Sequence, residues 1–142
     1  MTEERLIKEF LEKVDFDFPI PLSKKVNLKE YANKLKEKAT LFYEKKEDKI
    51  VGMVAGYTQN LTQNLAYIAL VATLKEYRGQ GFAQKAVSNF LNYCRENNIA
   101  GVHLYTAPSN VHAIKLYKSL GFEEYKLLNE PRKKDLHLIC YF

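Results

Sequence analysis

Arg78-Gly79-Gln80-Gly81-Phe82-Ala83 is the stretch on which the reading of this chain turns. It follows the apolar run Ala66-Tyr67-Ile68-Ala69-Leu70-Val71-Ala72, which reads as a buried strand. After it, Phe82, Ala83, Ala86, Val87, Phe90, Leu91 and Cys94 recur at helical spacing. A glycine-rich turn between strand and helix presents backbone N–H groups at the positive end of a helix dipole, a geometry that suits phosphate. The same turn also admits a plainer explanation, glycines that serve only the packing of a helix start. Two familiar phosphate motifs do not fit. A dinucleotide fingerprint needs a third glycine where Gln84 stands, and it follows its strand directly, whereas Leu74-Lys75-Glu76-Tyr77 intervene here. No GxxxxGK[ST] run occurs for a P-loop.

A chain of 142 residues, 46% hydrophobic and 27% charged, predicts one globular domain over residues 1–142. Such a chain buries roughly two-thirds of its unfolded surface. No apolar run reaches the about 18 residues of a membrane span, and the first residues lack the basic head and apolar core of a signal peptide. Cys94 and Cys140 lie in apolar patterns with no CxxC spacing, so they read as buried free thiols. These features predict a cytoplasmic protein. The net charge of +5 comes from lysines spread over polar helix faces. Its densest cluster, Arg132-Lys133-Lys134, reads as a hairpin tip without interleaved aromatic residues. Neither nucleic acid nor membrane is expected as a partner, and the chain is expected to be a monomer or homodimer.

Working outward, Thr2 with Glu3 and Glu4 starts a helix carrying Leu6, Ile7, Phe10, Leu11 and Val14 on one face. Pro19 and Pro21 break it, and Asn27-Leu28-Lys29-Glu30 begins a second helix with a capping-box pattern. Residues 41–44 and 50–57 flank the polar turn 46–49 as a hairpin. Residues 102–107 form another strand, Pro108-Ser109-Asn110 starts a helix that Gly121 ends, and residues 123–128 and 136–142 form a final strand pair. The predicted order is ααβββαβαββ, a mixed α/β fold around one sheet.

Two blocks of this chain resemble the GCN5-related N-acetyltransferase (GNAT) superfamily. Its [QR]-x-x-G-x-[GA] signature is met by Arg78, Gly81 and Ala83. Its N-x-x-A-x-x-x-Y-x-x-x-G-F segment is complete at Asn110, Ala113, Tyr117, Gly121 and Phe122. The resemblance implies the acyl-CoA N-acyltransferase fold: a mixed, mostly antiparallel central sheet with a splayed strand pair and helices on both faces. It implies acetyl-CoA as acetyl donor and no metal. Arg78, Gly79, Gln80, Gly81, Phe82 and Ala83 would cradle the pyrophosphate. The backbone of Leu70, Val71 and Ala72 would pair with the pantetheine arm, which Asn110 would also contact besides capping its helix. Lys118 or Arg78 would reach the phosphates.

The implied reaction is direct attack of a primary amine on the thioester. Tyr117 would protonate the leaving thiolate, since a tyrosine near its ordinary pKa of about 10 can donate at neutral pH. A backbone N–H near Ala72 would face the developing oxyanion. The general base stays open: residues 67–72 offer no carboxylate, which leaves Tyr67, Tyr57 or a water relay. His103, His112 and His137 lack metal-ligand spacing; His103 alternates on a strand and His112 faces solvent. Tyr31, Tyr57 and Tyr67 are the candidate acceptor pocket, with residues 22–38, 57–64 and 128–134 setting specificity. The positive charge disfavours a polyamine, so the expected acceptor is a neutral or acidic small-molecule amine. Acetylation of a protein amine, or a binding module that holds acetyl-CoA without catalysis, are the alternatives.

Overall fold

The computed structural model describes residues 2–127, 129–132 and 134–142. Its elements run α1 (Glu3–Val14), α2 (Leu28–Lys38), β1 (Thr40–Lys46), β2 (Lys49–Tyr57), β3 (Leu65–Thr73), α3 (Phe82–Glu96), β4 (Gly101–Thr106), α4 (Val111–Ser119), β5 (Glu123–Glu124) and β6 (Leu136–Tyr141). Local chemistry sets the helix starts. The Thr2 side chain accepts from the Arg5 N–H, and Asn27 Oδ1 accepts from the Glu30 N–H at 3.0 Å. Each satisfies one of the donors a helix start leaves unpaired.

The six strands lie in the order β1-β2-β3-β4-β6-β5. Every pairing is antiparallel except β3 with β4. That parallel pair joins only Leu65 to Gly101, Ala66 to Val102 and Tyr67 to His103. Beyond it the strands part, and β4 continues with β6 as far as Thr106 and Leu136. The mixed, mostly antiparallel sheet with one splayed pair is the expected fold.

Helices cover both faces. On one side Leu6, Ile7, Phe10, Leu11 and Val14 of α1, with Ala32 and Leu35 of α2, pack on Ile50, Val51, Met53 and Ala55 of β2 and on Leu70. On the other, Val87, Phe90, Leu91 and Cys94 of α3 pack with Tyr117 and Phe122 on Ala66, Ile68, Val102, Leu104 and Leu138. Full burial of one such large apolar side chain contributes about 1.5–3 kcal/mol.

Ile68 and Leu70 share a strand parity yet enter opposite cores. The reason is the register: Gly56 pairs with Ile68 and Ala55 with Leu70, so Ala69 has no β2 partner. This one-residue bulge inverts the side-chain alternation of β3. It falls where β4 departs.

The last hairpin differs from expectation. In place of a strand over residues 123–128, β5 holds two residues, extended by one bond from the Tyr125 N–H to the His137 carbonyl at 2.9 Å. Glu130 then turns inward to side chains of β4 and β6, which draws the chain off the ladder. Leu128 of that expected strand and Lys133 of the expected hairpin tip lie outside the described residues. Arg132, from the same tip, pairs with Asp135 at 2.6 Å.

Gly56 sits on the bulge and tests this packing. A Cβ there would overlap the Phe90 ring and come within 2.8 Å of the Tyr67 carbonyl. Gly56→Ala is expected to lower the unfolding free energy by about 1–3 kcal/mol, the usual range for overpacking. Urea denaturation reads it, and a change under 0.5 kcal/mol would contradict the packing described.

Candidate active site

Where β3 and β4 part, a cleft of about 770 Å³ opens. Tyr67, Ile68, Ala69, Leu70 and Val71 form one wall, and Leu104, Tyr105, Thr106 and Ala107 the other. Ser109, Asn110 and Tyr117 complete it from α4 and its approach. The loop after α1 covers it with Asp17, Phe18, Pro19 and Ile20, and the β6 side adds Arg132, Lys134 and Asp135. The β4-facing edge of β3 beyond Tyr67 has no strand beside it, so extended backbone lies open to a ligand.

At the end of β3 the chain enters the glycine turn. Gly79 and Gly81 have φ of +79° and +85°, the left-handed region that side chains resist, and a Cβ at either would meet nothing within 4 Å. Their requirement is thus one of backbone conformation, and the space beside them is open. Gly81 accepts the first intrahelical bond of α3, from the Lys85 N–H at 3.0 Å. The amides of residues 79–83 have no backbone acceptor among the described residues. Unpaired N–H groups, open space and the positive end of a fifteen-residue helix fit a pyrophosphate.

Tyr117 is 6% exposed, packed at 5.7 Å on the Phe122 ring, and lines the cleft. Burial pushes its pKa up to about 12. Its hydroxyl therefore stays protonated through the neutral range. Among the described residues no group is hydrogen-bonded to it.

Other expected residues take different places. Asn110 stands at the N-cap position of α4 but makes no side-chain capping bond, because its backbone (φ −83°, ψ 65°) is not the extended form that capping needs. Its side chain is left to the cleft it lines. Arg78 is engaged rather than free: Nη2 meets Asp17 Oδ2 at 2.6 Å and Nε donates to the Thr73 carbonyl at 3.2 Å. Lys118 pairs with Glu124 at 3.5 Å. Phe82 packs edge-on against Tyr77, with ring centroids 6.2 Å apart, and helps to close the α1 side of the sheet. Ala72 packs in that same core, opposite Met53. Of the acceptor tyrosines, Tyr67 alone lines this cleft, whereas Tyr57 borders a separate recess with Lys34, Lys38 and Asn60. Tyr31 lies near both, and its pKa is pushed up to about 12, by burial first and then by Tyr57 and Tyr67.

The sequence reading missed one cluster. Tyr105 lines the cleft and donates to Glu130 Oε1 at 2.5 Å, and His137 and His103 join the same network. Period-two spacing placed His103 and Tyr105 on one face of β4, which was a usable signal. Glu130 gave none, because only the tertiary fold of its loop brings it there.

The profile of the Acetyltransferase (GNAT) family matches residues 6–122. N-alpha-acetyltransferase 30 of Schizosaccharomyces pombe is 40% identical over 62 residues, which is 44% of this chain and 41% of that protein. N-acetylaspartate synthetase of Xenopus tropicalis is 32% identical over 77 residues, 54% of this chain and 28% of that protein. The matches thus span less than half the length of these curated relatives. Among solved structures, a GNAT-family acetyltransferase from Staphylococcus aureus superposes with a TM-score of 0.77 at 19% identity, covering 97% of this chain and 92% of that one. At that identity the superposition shows the shared fold. With the profile spanning both motif blocks, the splayed strands and the glycine turn, the chain belongs to the acetyltransferase (GNAT) family.

Proposed function

We propose that this protein transfers an acetyl group from acetyl-CoA to a primary α-amine. The observation that carries the reading is the continuous path from the open β3 edge at Leu70 and Val71 to the left-handed glycine turn, with Tyr117 lining the cleft. The donor brings a reactive thioester. What the chain supplies is position and charge stabilisation. Amides of residues 79–83 bind the pyrophosphate, the β3 edge at Leu70 and Val71 aligns the pantetheine amides, and Asn110 holds the arm from the α4 side. The oxyanion expected near Ala72 is assigned to backbone beside the Ala69 bulge, which borders the cleft where Ala72 does not.

Tyr117 donates to the leaving thiolate. With its pKa near 12, well above the about 8.5 of an ordinary thiol, it acts first as a hydrogen-bond donor to the developing charge. Complete proton transfer to the thiolate is uphill by that difference and is drawn forward as water returns a proton to the tyrosinate.

A polypeptide α-amine is favoured as acceptor over the small molecule expected from the sequence. The relative with the higher identity is named as an N-alpha-acetyltransferase, and apolar side chains of the covering loop, Phe18 and the 53% exposed Ile20, line the cleft. Such a lining suits the residues that follow a peptide's first. A terminal α-amine also has a pKa of about 7.7–8.0, so a useful fraction is neutral near pH 7, unlike lysine at about 10.4. A small amino acid is the second reading. The N-acetylaspartate synthetase relative favours it, as do Lys25, Arg132 and Lys134 around the cleft, which suit a carboxylate.

Calorimetry is expected to show acetyl-CoA binding with a submillimolar Kd, and no binding would sink the proposal. Gly81→Ala should raise that Kd about tenfold, equivalent to about 1.4 kcal/mol, because a Cβ disfavours the conformation that aims the amides. An unchanged Kd would remove the turn from the donor site. Tyr117→Phe should lower kcat by roughly ten- to a hundredfold with little change in donor affinity. Because its hydroxyl titrates near 12, the wild-type rate should show no alkaline fall below about pH 10 from this group. A kcat unaffected by the substitution, with chemistry rate-limiting, would exclude Tyr117 from the mechanism.

A further inference from the structure

The β3 wall of the cleft carries no carboxylate, yet one reaches the opposite wall from elsewhere. Glu130 enters from the loop before β6 and its side chain is 15% exposed. Tyr105, on the β4 wall, donates to Glu130 Oε1 at 2.5 Å. Oε2 lies 3.1 Å from His137 Nδ1 and accepts from the Leu127 N–H at 3.2 Å. His137 Nε2 in turn stands 2.9 Å from His103 Nδ1.

The roles in this chain follow from what each atom can do. A carboxylate only accepts, so in the neutral form of His137 the proton is on Nδ1, and Nε2 then accepts from the His103 Nδ1–H. Burial, followed by the neighbouring His137, holds the His103 pKa below its ordinary value, consistent with a neutral ring at pH 7. Tyr105, His137 and the Leu127 N–H therefore all donate to Glu130, and His103 donates to His137 behind it. Its pKa is held below the usual carboxylate range, first by the Tyr105 hydrogen bond. Other groups facing the pair are the Tyr67 ring, 6.4 Å from Tyr105, and the Arg132 guanidinium, 5.1 Å from the Tyr105 centroid.

Given acetyl transfer at this cleft, we propose that Tyr105 and Glu130 together supply the general base: the acceptor amine passes its proton to Tyr105 Oη as Tyr105 passes its own to Glu130 Oε1. Tyr105 does not do this alone. Its pKa is pushed up to about 12, by burial first and then by the bond to Glu130, so it is no tyrosinate at neutral pH. It can take a proton only by giving one away in the same motion. Tyr105 is the catalytic residue in this step, and Glu130 is the positioning residue behind it that receives the proton.

The step balances. The neutral amine's lone pair forms the C–N bond to the acetyl carbon. The C–S bond breaks with its electron pair on sulfur, which takes the Tyr117 proton. The nitrogen becomes strongly acidic only as the C–N bond forms, so a carboxylate of low pKa suffices to drain its proton through Tyr105. Glu130 also lines a second recess beyond the loop, with Tyr125, Leu127 and His137, through which water can take the proton off. Tyr117 is reprotonated by water from the cleft.

The test is kcat/KM against pH for the full chain, with acetyl-CoA and a short peptide bearing a free α-amine. Glu130→Gln keeps a hydrogen-bond acceptor and removes the proton sink. It should lower kcat/KM about a hundredfold at pH 7, with the donor Kd unchanged by calorimetry. The deficit should shrink as pH rises toward 9.5, because hydroxide takes over proton removal, and Glu130→Asp should recover part of the rate. Tyr105→Phe should lose about as much, and the double variant should be no worse than either single one, since the two act as a unit. Rates within twofold of wild type for either single variant, a loss uniform across pH, or losses that add in the double variant would each overturn the relay while acetyl transfer stands. Donor binding with no turnover by the wild type would overturn both.

Discussion

Everything at this site depends on one extra residue in β3. Ala69 has no partner on β2, and that single insertion changes the parity of the strand. Ile68 goes into the core under α3 and Leu70 into the core under α1, so both cores need the bulge to be where it is. A bulge adds local twist to its strand, and pairing with β4 stops after Tyr67 and His103. The cleft is the gap that results. Each wall is held on its other edge, β3 by β2 and β4 by β6.

From that gap the two ends of the site diverge in chemistry. The proposed donor end is built from backbone: an open strand edge, two left-handed glycines and the first turn of α3. It offers amides and little side-chain charge. Beside the glycine turn, Arg78 reaches back to Asp17 on the loop that covers the cleft, so the turn and the covering loop are joined by a half-exposed ion pair. Such a pair contributes about 0.2–1 kcal/mol, little enough for a bound phosphate to compete for the arginine. The opposite wall is built from side chains, Tyr105, Glu130, His137 and His103, whose hydrogen bonds fix one another's orientation.

How far the sequence could reveal this follows the range of each interaction. Helical spacing from Leu6 to Val14 and from Phe82 to Cys94, the Thr2 and Asn27 caps, and the hairpin through Lys46 to Lys49 are local, and they were legible. Gly81 and Tyr117 were legible because paired motif blocks fixed them in order, and Gly79 because a glycine pair between a strand and a helix marks a turn. The Ala69 bulge was not, since one register shift in an apolar run leaves the pattern of residue types unchanged. Nor was Glu130, whose loop carries no periodicity and whose partners stand 25 and 7 residues away in the chain. The expected strand at residues 123–128 stops after Glu124 for the same reason, because the Leu127 N–H donates to Glu130 and not to the ladder. Arg78 looked like a free phosphate ligand until the covering loop brought Asp17 to it.

The central claim is that the splayed β3 edge and the glycine turn form one continuous donor site. Amide hydrogen exchange measured with and without acetyl-CoA addresses it residue by residue. Slower exchange is predicted for amides of residues 69–72 and 79–84 together, with β1 and the outer face of α2 unchanged. Protection confined to one of those two segments, or found only elsewhere on the surface, would contradict the account.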